Sequence, residues 1–335
     1  MTWDLIGHSW AEKMLQQHII SGQVRHAYLF TGPAGVGRRT LAIRFAQAIN
    51  CLQPISPGEP CKTCRACIQI ERMQHPDLSI VQADTSGAVL KVERVRDLQR
   101  QLSLAPYEAR FRIALLLHFE EANDNAQNAL LKTLEEPNDR VILLMTADLA
   151  ENLLPTIVSR CEVLRLHPAG LEELAAALVK NDGASPAQAR LLAHITGGRA
   201  GYAIHLLREP ELIEKRKYWL EDALQLMHSN RREKFSYVKD KFDKRDDRNV
   251  NKEALRAAMI TWLSFWRDIL LISSAADVPL TNLDFENQEK EIAVLLNLPA
   301  ARAAVQGIEQ GMVRLNNANL RLLAESILLQ WPTLS

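Results

Sequence analysis

A short apolar run that leads directly into a glycine-rich loop is the feature that most constrains the fold of this chain. Residues 26–30 (HAYLF) have the apolar character of a buried strand, and the loop TGPAGVG follows at residues 31–37. Apolar residues at helical spacing then occupy residues 40–49. A strand, a glycine loop and a helix in this order are typical of the cradle that binds nucleotide phosphates in α/β proteins. The alternative is an ordinary glycine-rich turn.

Further apolar runs alternate with helical patterns through the first half of the chain. The apolar runs lie at residues 78–82, 112–117, 141–147 and 163–166, and the helical patterns lie at residues 92–102 and 125–137. Strands that alternate with helices predict a parallel sheet covered by helices on both faces. Beyond about residue 168 helical patterns take over. We therefore predict an α/β domain over 1–167, a small helical domain over 168–208 and an all-α domain over 209–335.

The glycine loop departs from a working ATP-binding loop at the positions that carry the chemistry. A working loop reads G-x-x-x-x-G-K-[ST], in which the lysine binds phosphate and the hydroxyl binds Mg²⁺. Gly32, Gly35 and Gly37 keep the backbone pattern, but Arg38 and Arg39 stand at the lysine and hydroxyl positions. Arg38 keeps the positive charge, whereas a cation at position 39 repels the metal. These residues predict a vestigial phosphate loop.

The other groups that would bind magnesium are also displaced. Thr40 comes one residue late, which turns its side chain about 100° around the helix. The acidic pair that ends the neighbouring strand in such ATPases falls on Leu117 and His118. Glu120 and Glu121 lie two or more residues further along, and the alternative is that they act as misaligned substitutes. We predict an inactive site that binds ATP only weakly or not at all.

Four of the five cysteines crowd into one short stretch, where Cys51, Cys61, Cys64 and Cys67 follow the pattern C-x9-C-x2-C-x2-C. In a reducing compartment such a cluster indicates metal ligands before disulfides. The C-x2-C steps suit tetrahedral coordination of zinc by sulfur. We predict one structural Zn²⁺ in the insert 51–67. Four protein ligands leave no position for a catalytic water.

The overall charge argues against a protein that binds nucleic acid by itself. Lys plus Arg and Asp plus Glu number 40 each, whereas nucleic-acid-binding domains usually have a basic excess. No apolar run approaches the about 18 residues of a membrane span. Residues 1–13 lack the basic-then-apolar layout of a signal peptide. We expect a cytoplasmic protein with no membrane partner.

Two further motifs connect these features to a known family. NALLKTLEEP covers residues 128–137, and PTIVSRC covers residues 155–161. Together with the phosphate loop and the four-cysteine insert, they resemble the clamp-loader branch of the AAA+ ATPases. The likeness is specific over residues 1–166 and looser beyond. It implies a P-loop, RecA-like AAA+ domain with a zinc module, a small helical lid and an all-α collar that joins five subunits.

The resemblance also implies a role. With its degraded phosphate loop, the chain is most similar to the clamp-loader subunit that acts as a stator rather than as an ATPase. Arg160 of Ser-Arg-Cys would then reach into the ATP site of a neighbour as an arginine finger. Cys161 would lie buried beside Arg160, and Arg199 would be a vestigial lid arginine. The alternative for Arg160 is a surface arginine in a local ion pair.

The partners that the resemblance implies are the gamma or tau subunits and the delta subunit of bacterial DNA polymerase III. The sliding clamp and primer–template DNA would be met through the assembled complex. One rival function is an active AAA+ ATPase subunit of the gamma type, which the missing lysine, hydroxyl and acidic pair oppose. The other is a zinc-dependent nucleic-acid-binding protein, which the neutral charge opposes.

Overall fold

A computed structural model of the chain describes residues 3–85, 87–242 and 248–334. The contacts divide the chain into two compact units. The first consists of Met1–Ala177 and Gly198–Tyr202, and the second of Leu178–Gly197 and Ala203–Ser335.

The division into three domains at residues 167 and 208 stays a prediction. The outer ends of the first and third predicted domains, residues 1–2 and 335, lie outside the described residues, as do residues 243–247 of the third.

The first unit is built on a parallel sheet, as the alternating patterns predict. Within the described residues the sheet has five strands in the order β2-β3-β4-β1-β5. Numbered along the chain, the strands β1 to β5 are Ala27–Thr31, Leu78–Val81, Arg112–Leu116, Val141–Ala147 and Glu162–Arg165. Every residue of β1, β3 and β4 is buried, as a sheet covered on both faces requires. The strand with the glycine loop therefore lies inside the sheet, between β4 and β5.

Helices cover both faces of this sheet. Helices α1 to α6 are Ser9–Ile20, Arg38–Asn50, Arg65–Glu71, Val92–Leu102, Asp124–Glu135 and Pro155–Val158. Tyr28 and Phe30 of β1 join an apolar cluster with α1 and α2, whereas Ala27 and Leu29 join a second cluster with α4 and α5. Successive side chains of a strand point to opposite faces, so one short run contributes to both cores.

Helix α5 has clear local reasons for both of its ends. The Asn123 side chain accepts a hydrogen bond from the Ala126 N–H at its start, which satisfies a backbone donor that has no partner inside the helix. At its end, Pro137 disfavours helical geometry for the residue before it. Glu135 is therefore the last helical residue.

The second unit contains only helices within the described residues. Helices α7 to α15 are, in chain order, Leu171–Asp182, Pro186–Thr196, Ala200–Arg208, Pro210–Met227, Arg231–Phe242, Arg248–Ser273, Glu286–Leu295, Leu298–Arg314 and Leu320–Leu329. The boundaries between the two units fall within α7 and α9, and the other seven of these helices belong to the second unit. Its core packs around Trp262 and Trp266 of α12, which are fully buried. None of the described helices combines the length and apolar character that a membrane span needs.

Candidate functional site

The glycine loop at residues 32–37 joins β1 to α2 through three glycines with positive φ. Gly32, Gly35 and Gly37 have φ values of 144°, 81° and 115°, which glycine adopts far more readily than other residues. A side chain at position 32 would also clash, because its Cβ would lie 2.4 Å from the Leu166 carbonyl oxygen. The three glycines therefore shape the turn itself, whatever the loop binds.

Protein groups hold this loop from two sides. The Gly35 carbonyl oxygen accepts hydrogen bonds from the N–H groups of Gly201 at 2.8 Å and Tyr202 at 3.3 Å. On the other side, Nε2 of His8 lies 2.8 Å from the Val36 carbonyl oxygen. Burial lowers the pKa of His8, so we assign a neutral ring whose Nε2–H donates to this carbonyl. The loop is thus tied to the N-terminal segment and to the start of α9.

Arg38, at the lysine position, turns into the protein. Its side chain is only 5% exposed, and its Nη1 lies 2.7 Å from Oδ1 of Asp148, the residue that follows β4. The contact is an ion pair, although Nη1 lacks the alignment of a hydrogen bond. A buried charge needs such a partner to offset its lost hydration. Arg39 and Thr40 are exposed instead.

The acidic-pair positions differ in what they offer. Leu117 is buried and apolar. His118 has a left-handed φ of 51°. His118 Nδ1 and one carboxylate oxygen each of Glu120 and Asp148 lie within 4.8 Å of one another, a spacing that could hold a metal ion. Because Arg38 already pairs with Asp148, its charge opposes a divalent cation there.

Glu121 does not join this group. Its carboxylate accepts a hydrogen bond from the Gly87 N–H at 2.7 Å, and its backbone carbonyl accepts one from Leu90. Of the two candidate substitutes, Glu120 is the one whose carboxylate lies near Asp148. The sequence carried no clear signal for this placement.

The four cysteines of the insert come together as zinc ligands would. The Cys51 sulfur lies 3.5 Å from that of Cys61 and 4.0 Å from that of Cys64, and all four sulfurs lie within 4.8 Å of one another. Four sulfurs around a tetrahedral zinc are about 3.8 Å apart. The Cys61 and Cys64 N–H groups donate to the sulfurs of Cys51 and Cys61, both at 3.3 Å. The cluster, completed by Cys67, fits Zn²⁺.

Two of the hydrogen bonds that anchor the insert to the rest of the unit come from buried side chains. The indole N–H of the fully buried Trp3 donates to the Gly58 carbonyl oxygen at 3.1 Å. The Gln47 amide of α2 donates to the Cys67 carbonyl oxygen at 2.8 Å. The insert therefore contacts both the N-terminal segment and the helix that begins at the phosphate loop.

Arg160 lies on the turn that follows the short helix α6. Its Nη1 donates to the Thr156 carbonyl oxygen at 2.8 Å, and its Nη2 donates to Oε1 of Glu135 at 2.7 Å. The local ion pair considered as the alternative for Arg160 is therefore present, yet 34% of the side chain is still exposed. Next to it, Cys161 donates its S–H to the Ile157 carbonyl oxygen. Burial raises the pKa of this thiol to about 12, so Cys161 stays a thiol.

Sequence reasoning had not singled out Asp148 or Glu135. Asp148 directly follows the apolar run of β4, and Glu135 lies within the motif NALLKTLEEP, but neither pattern indicates which arginine each carboxylate contacts. The guanidinium of Arg199 lies 5.0 Å from the centre of the Tyr202 ring.

A parallel sheet in the order 2-3-4-1-5, with a glycine loop after the first strand, is the fold of the AAA+ class. A family model described as "DNA polymerase III, delta subunit" matches residues 7–170. The DNA polymerase III subunit delta' of Bacillus subtilis is 30% identical over 322 residues, which are 95% of this chain and 94% of the relative. The chain therefore belongs to the family of DNA polymerase III delta' subunits, which are clamp-loader components.

Two other relatives match about half of the chain. The delta' subunit of Pseudomonas aeruginosa is 37% identical over 46% of this chain and 47% of its own length. The DNA polymerase III subunit tau of Escherichia coli is 32% identical over 52% of this chain and 28% of its own length. The likeness to a tau subunit agrees with a common clamp-loader ancestry.

Proposed function

We propose that this chain is the stator of a bacterial clamp loader and supplies Arg160 to the ATP site of a neighbouring subunit. The opposite placement of two arginines carries the proposal. Arg38 is buried in its own cradle against Asp148, whereas Arg160 reaches the surface on a firmly packed turn. A group that acts on another subunit has to be accessible at the surface, and Arg160 is.

The chain's own site does not hydrolyse ATP in this proposal. Arg39 and Leu117 stand where the magnesium ligands are needed. The Arg38 guanidinium neutralises Asp148, the carboxylate that directly follows β4. The chain is then no enzyme by itself, and its cradle binds ATP weakly or not at all. Zinc has a structural role only, because four cysteine ligands fill its coordination shell.

The neighbour that receives Arg160 is an ATP-binding gamma or tau subunit, with the delta subunit completing the loader. The chain meets the sliding clamp and primer–template DNA through this assembly. In phosphoryl transfer, negative charge spreads over the transferred oxygens, and an arginine finger stabilises it. The planar guanidinium suits this task because it can donate two parallel hydrogen bonds to neighbouring oxygens.

The test uses the complete loader, reconstituted with this chain and with its gamma or tau and delta subunits. Arg160→Ala is expected to leave the subunit folded and assembled but to silence the bordering ATP site, since fingers contribute roughly 10³–10⁵ in rate. Total ATPase then falls in part, and Arg160→Lys restores little because it lacks the planar fork.

The matched control is Arg165→Ala, because Arg165 is a surface arginine paired with Glu151 at 3.6 Å. This variant should keep the full rate of ATP hydrolysis and clamp loading. A loader with Arg160→Ala that works at the normal rate would contradict the finger.

One observation favours a second function, an active ATPase subunit of the gamma type. His118, Glu120 and Asp148 could together hold a metal ion beside the phosphate loop. If they support catalysis, the isolated chain hydrolyses ATP with Mg²⁺ or Mn²⁺, and His118→Ala abolishes this activity. Background rates with both metals would exclude this function.

A further inference from the structure

Glu135 is the carboxylate closest to the proposed finger. Its Oε1 accepts a hydrogen bond from Nη2 of Arg160 at 2.7 Å, and 51% of the Glu135 side chain is exposed. We propose that Glu135 is a positioning residue, whose carboxylate holds the Arg160 guanidinium in the orientation that meets the neighbour's phosphate. This inference rests on the proposed function of Arg160.

The position of Glu135 in its helix is locally unfavourable. It is the last residue of α5, where the unpaired carbonyl groups carry partial negative charge and favour basic side chains. An acidic residue there needs a compensating cation, and Arg160 supplies it. Residues that break a local preference are often found at functional sites. The mismatch therefore favours a role that involves Arg160 over a role in the helix itself.

Packing against one apolar core fixes the backbone near both Glu135 and Arg160. Leu130 and Leu134 of α5 and Ile157 of α6 are at most 2% exposed and belong to one apolar cluster. Close-packed cores hold their backbones with little freedom. The core therefore fixes the distance between the end of α5 and the turn with Arg160. A short side-chain contact across this distance keeps the same geometry.

The hydrogen bonds leave part of the guanidinium available. An arginine has five N–H donors in a rigid fork. One N–H of Nη1 binds the Thr156 carbonyl oxygen and one N–H of Nη2 binds Glu135, which leaves three for an external acceptor. Because Glu135 takes one bond rather than two, it orients the fork without covering it. An oriented group loses less entropy when it meets the transition state.

The experiment measures kcat and KM for ATP in the complete loader with Glu135→Ala, Glu135→Gln and Glu136→Ala. Glu135→Ala should slow the bordering site by roughly tenfold to a hundredfold, the cost of a misplaced catalytic group. The total kcat of the loader therefore falls by most of the amount that Arg160→Ala removes, and KM does not change. Glu135→Gln keeps an oxygen acceptor and should restore most of the rate. Glu136→Ala removes a neighbouring exposed carboxylate and should change nothing.

A double variant separates positioning from general damage. In the Arg160→Ala background, Glu135→Ala should cause no further loss of kcat, because the group that it orients is gone. An additional loss there, or an unchanged or raised kcat for Glu135→Ala alone, would overturn the inference and leave the finger standing. If Arg160→Ala itself has no effect, the proposed function fails and the inference with it.

Discussion

Arg38 and Arg39 stand where an ATP-binding loop needs a lysine and a hydroxyl, and the structure gives them different environments. Arg38 is buried and bound to Asp148, whereas Arg39 is exposed on α2. A lysine at position 38 would carry a compact ammonium on a flexible stem, without the planar fork of a guanidinium. We predict that these two substitutions, on an intact glycine turn, leave a loop that binds ATP weakly or not at all.

Restoring the two residues tests this inference. The double variant Arg38→Lys with Arg39→Thr recreates G-x-x-x-x-G-K-T over residues 32–39. It should bind ATP about tenfold or more tightly than the parent, the equivalent of one hydrogen bond to a charged group. Titration calorimetry with ATP and Mg²⁺ measures the affinity. Hydrolysis should stay at background, because Leu117 supplies no carboxylate.

The control is Arg39→Thr alone, which leaves the pair between Arg38 and Asp148 in place and should bind no better than the parent. Equal ATP affinity of the parent and the double variant would show that Arg38 and Arg39 do not limit ATP binding.

At the scale of the element, the cysteine insert at 51–67 depends on its ligands more than on a core of its own. Leu52 and Ile55 are exposed, so the loop buries little apolar surface. The insert is held by the sulfur cluster, by the hydrogen bonds from Trp3 and Gln47, and by the ion pair between Lys62 and Asp4. Where a metal supplies most of the cross-links, its binding free energy is part of the folding free energy.

Loss of zinc should therefore loosen two separate stretches of sequence. We expect one Zn²⁺ per chain with sulfur-only coordination, measured by metal analysis and X-ray absorption. Cys64→Ser should raise hydrogen exchange over 51–67 and also near Trp3, since Trp3 donates to Gly58 in the insert.

Cys161→Ser is the control, because Cys161 lies outside the cluster, and the zinc content should not change. Exchange that rises within the insert alone would argue against the link to Trp3. A disulfide among the four cysteines in reduced protein would argue against the metal site.

At the scale of the whole molecule, a buried polar network in the second unit couples folding to pH. Asp268 accepts hydrogen bonds from the N–H groups of Thr281 and Asn282. The Asn282 amide also donates to Oε1 of Glu289 at 2.9 Å, while Oε2 of Glu289 has no partner among the described residues. Burial, with the charge of Asp268, raises the pKa of Glu289 to about 9. The nearby Arg216 offsets this only in part.

The second unit should therefore lose stability as the pH rises. Above the usual pKa of 4.5 the unfolded Glu289 carboxyl releases a proton that the folded one keeps up to about 9. Between these values the free energy of unfolding falls with pH, by at most about 1.4 kcal/mol per unit for one proton. Glu289→Gln should flatten this dependence and be the more stable protein at pH 8.

Urea unfolding at pH 5 to 9 measures this effect through the tryptophans of the second unit, Trp219, Trp262, Trp266 and Trp331. The control Glu286→Gln lies on the same helix, but its carboxylate pairs with Lys290 at the surface. This variant should keep the slope of the parent. Equal slopes for Glu289→Gln and the parent would mean that Glu289 is charged in the fold.

Short-range patterns made several features readable from the sequence. The apolar runs and the helical pattern at 92–102 predicted the parallel sheet and α4, in which Val95, Leu98 and Leu102 are buried. The four-cysteine spacing predicted which sulfurs would meet. These features depend on neighbours along the chain, so the residues themselves carry the information.

The sequence by itself determined the fold class, the glycine turn and the candidate zinc ligands, because backbone preference and ligand spacing act over a few residues. Only the tertiary structure decided which charges meet. Arg38 pairs with Asp148, Arg160 pairs with Glu135, and Glu120 lies close to His118 and Asp148. A charged side chain pairs with whatever the packed elements bring within a few ångströms, and its burial sets the cost of leaving it alone. Neither the partner of a charged side chain nor its burial is encoded in local spacing.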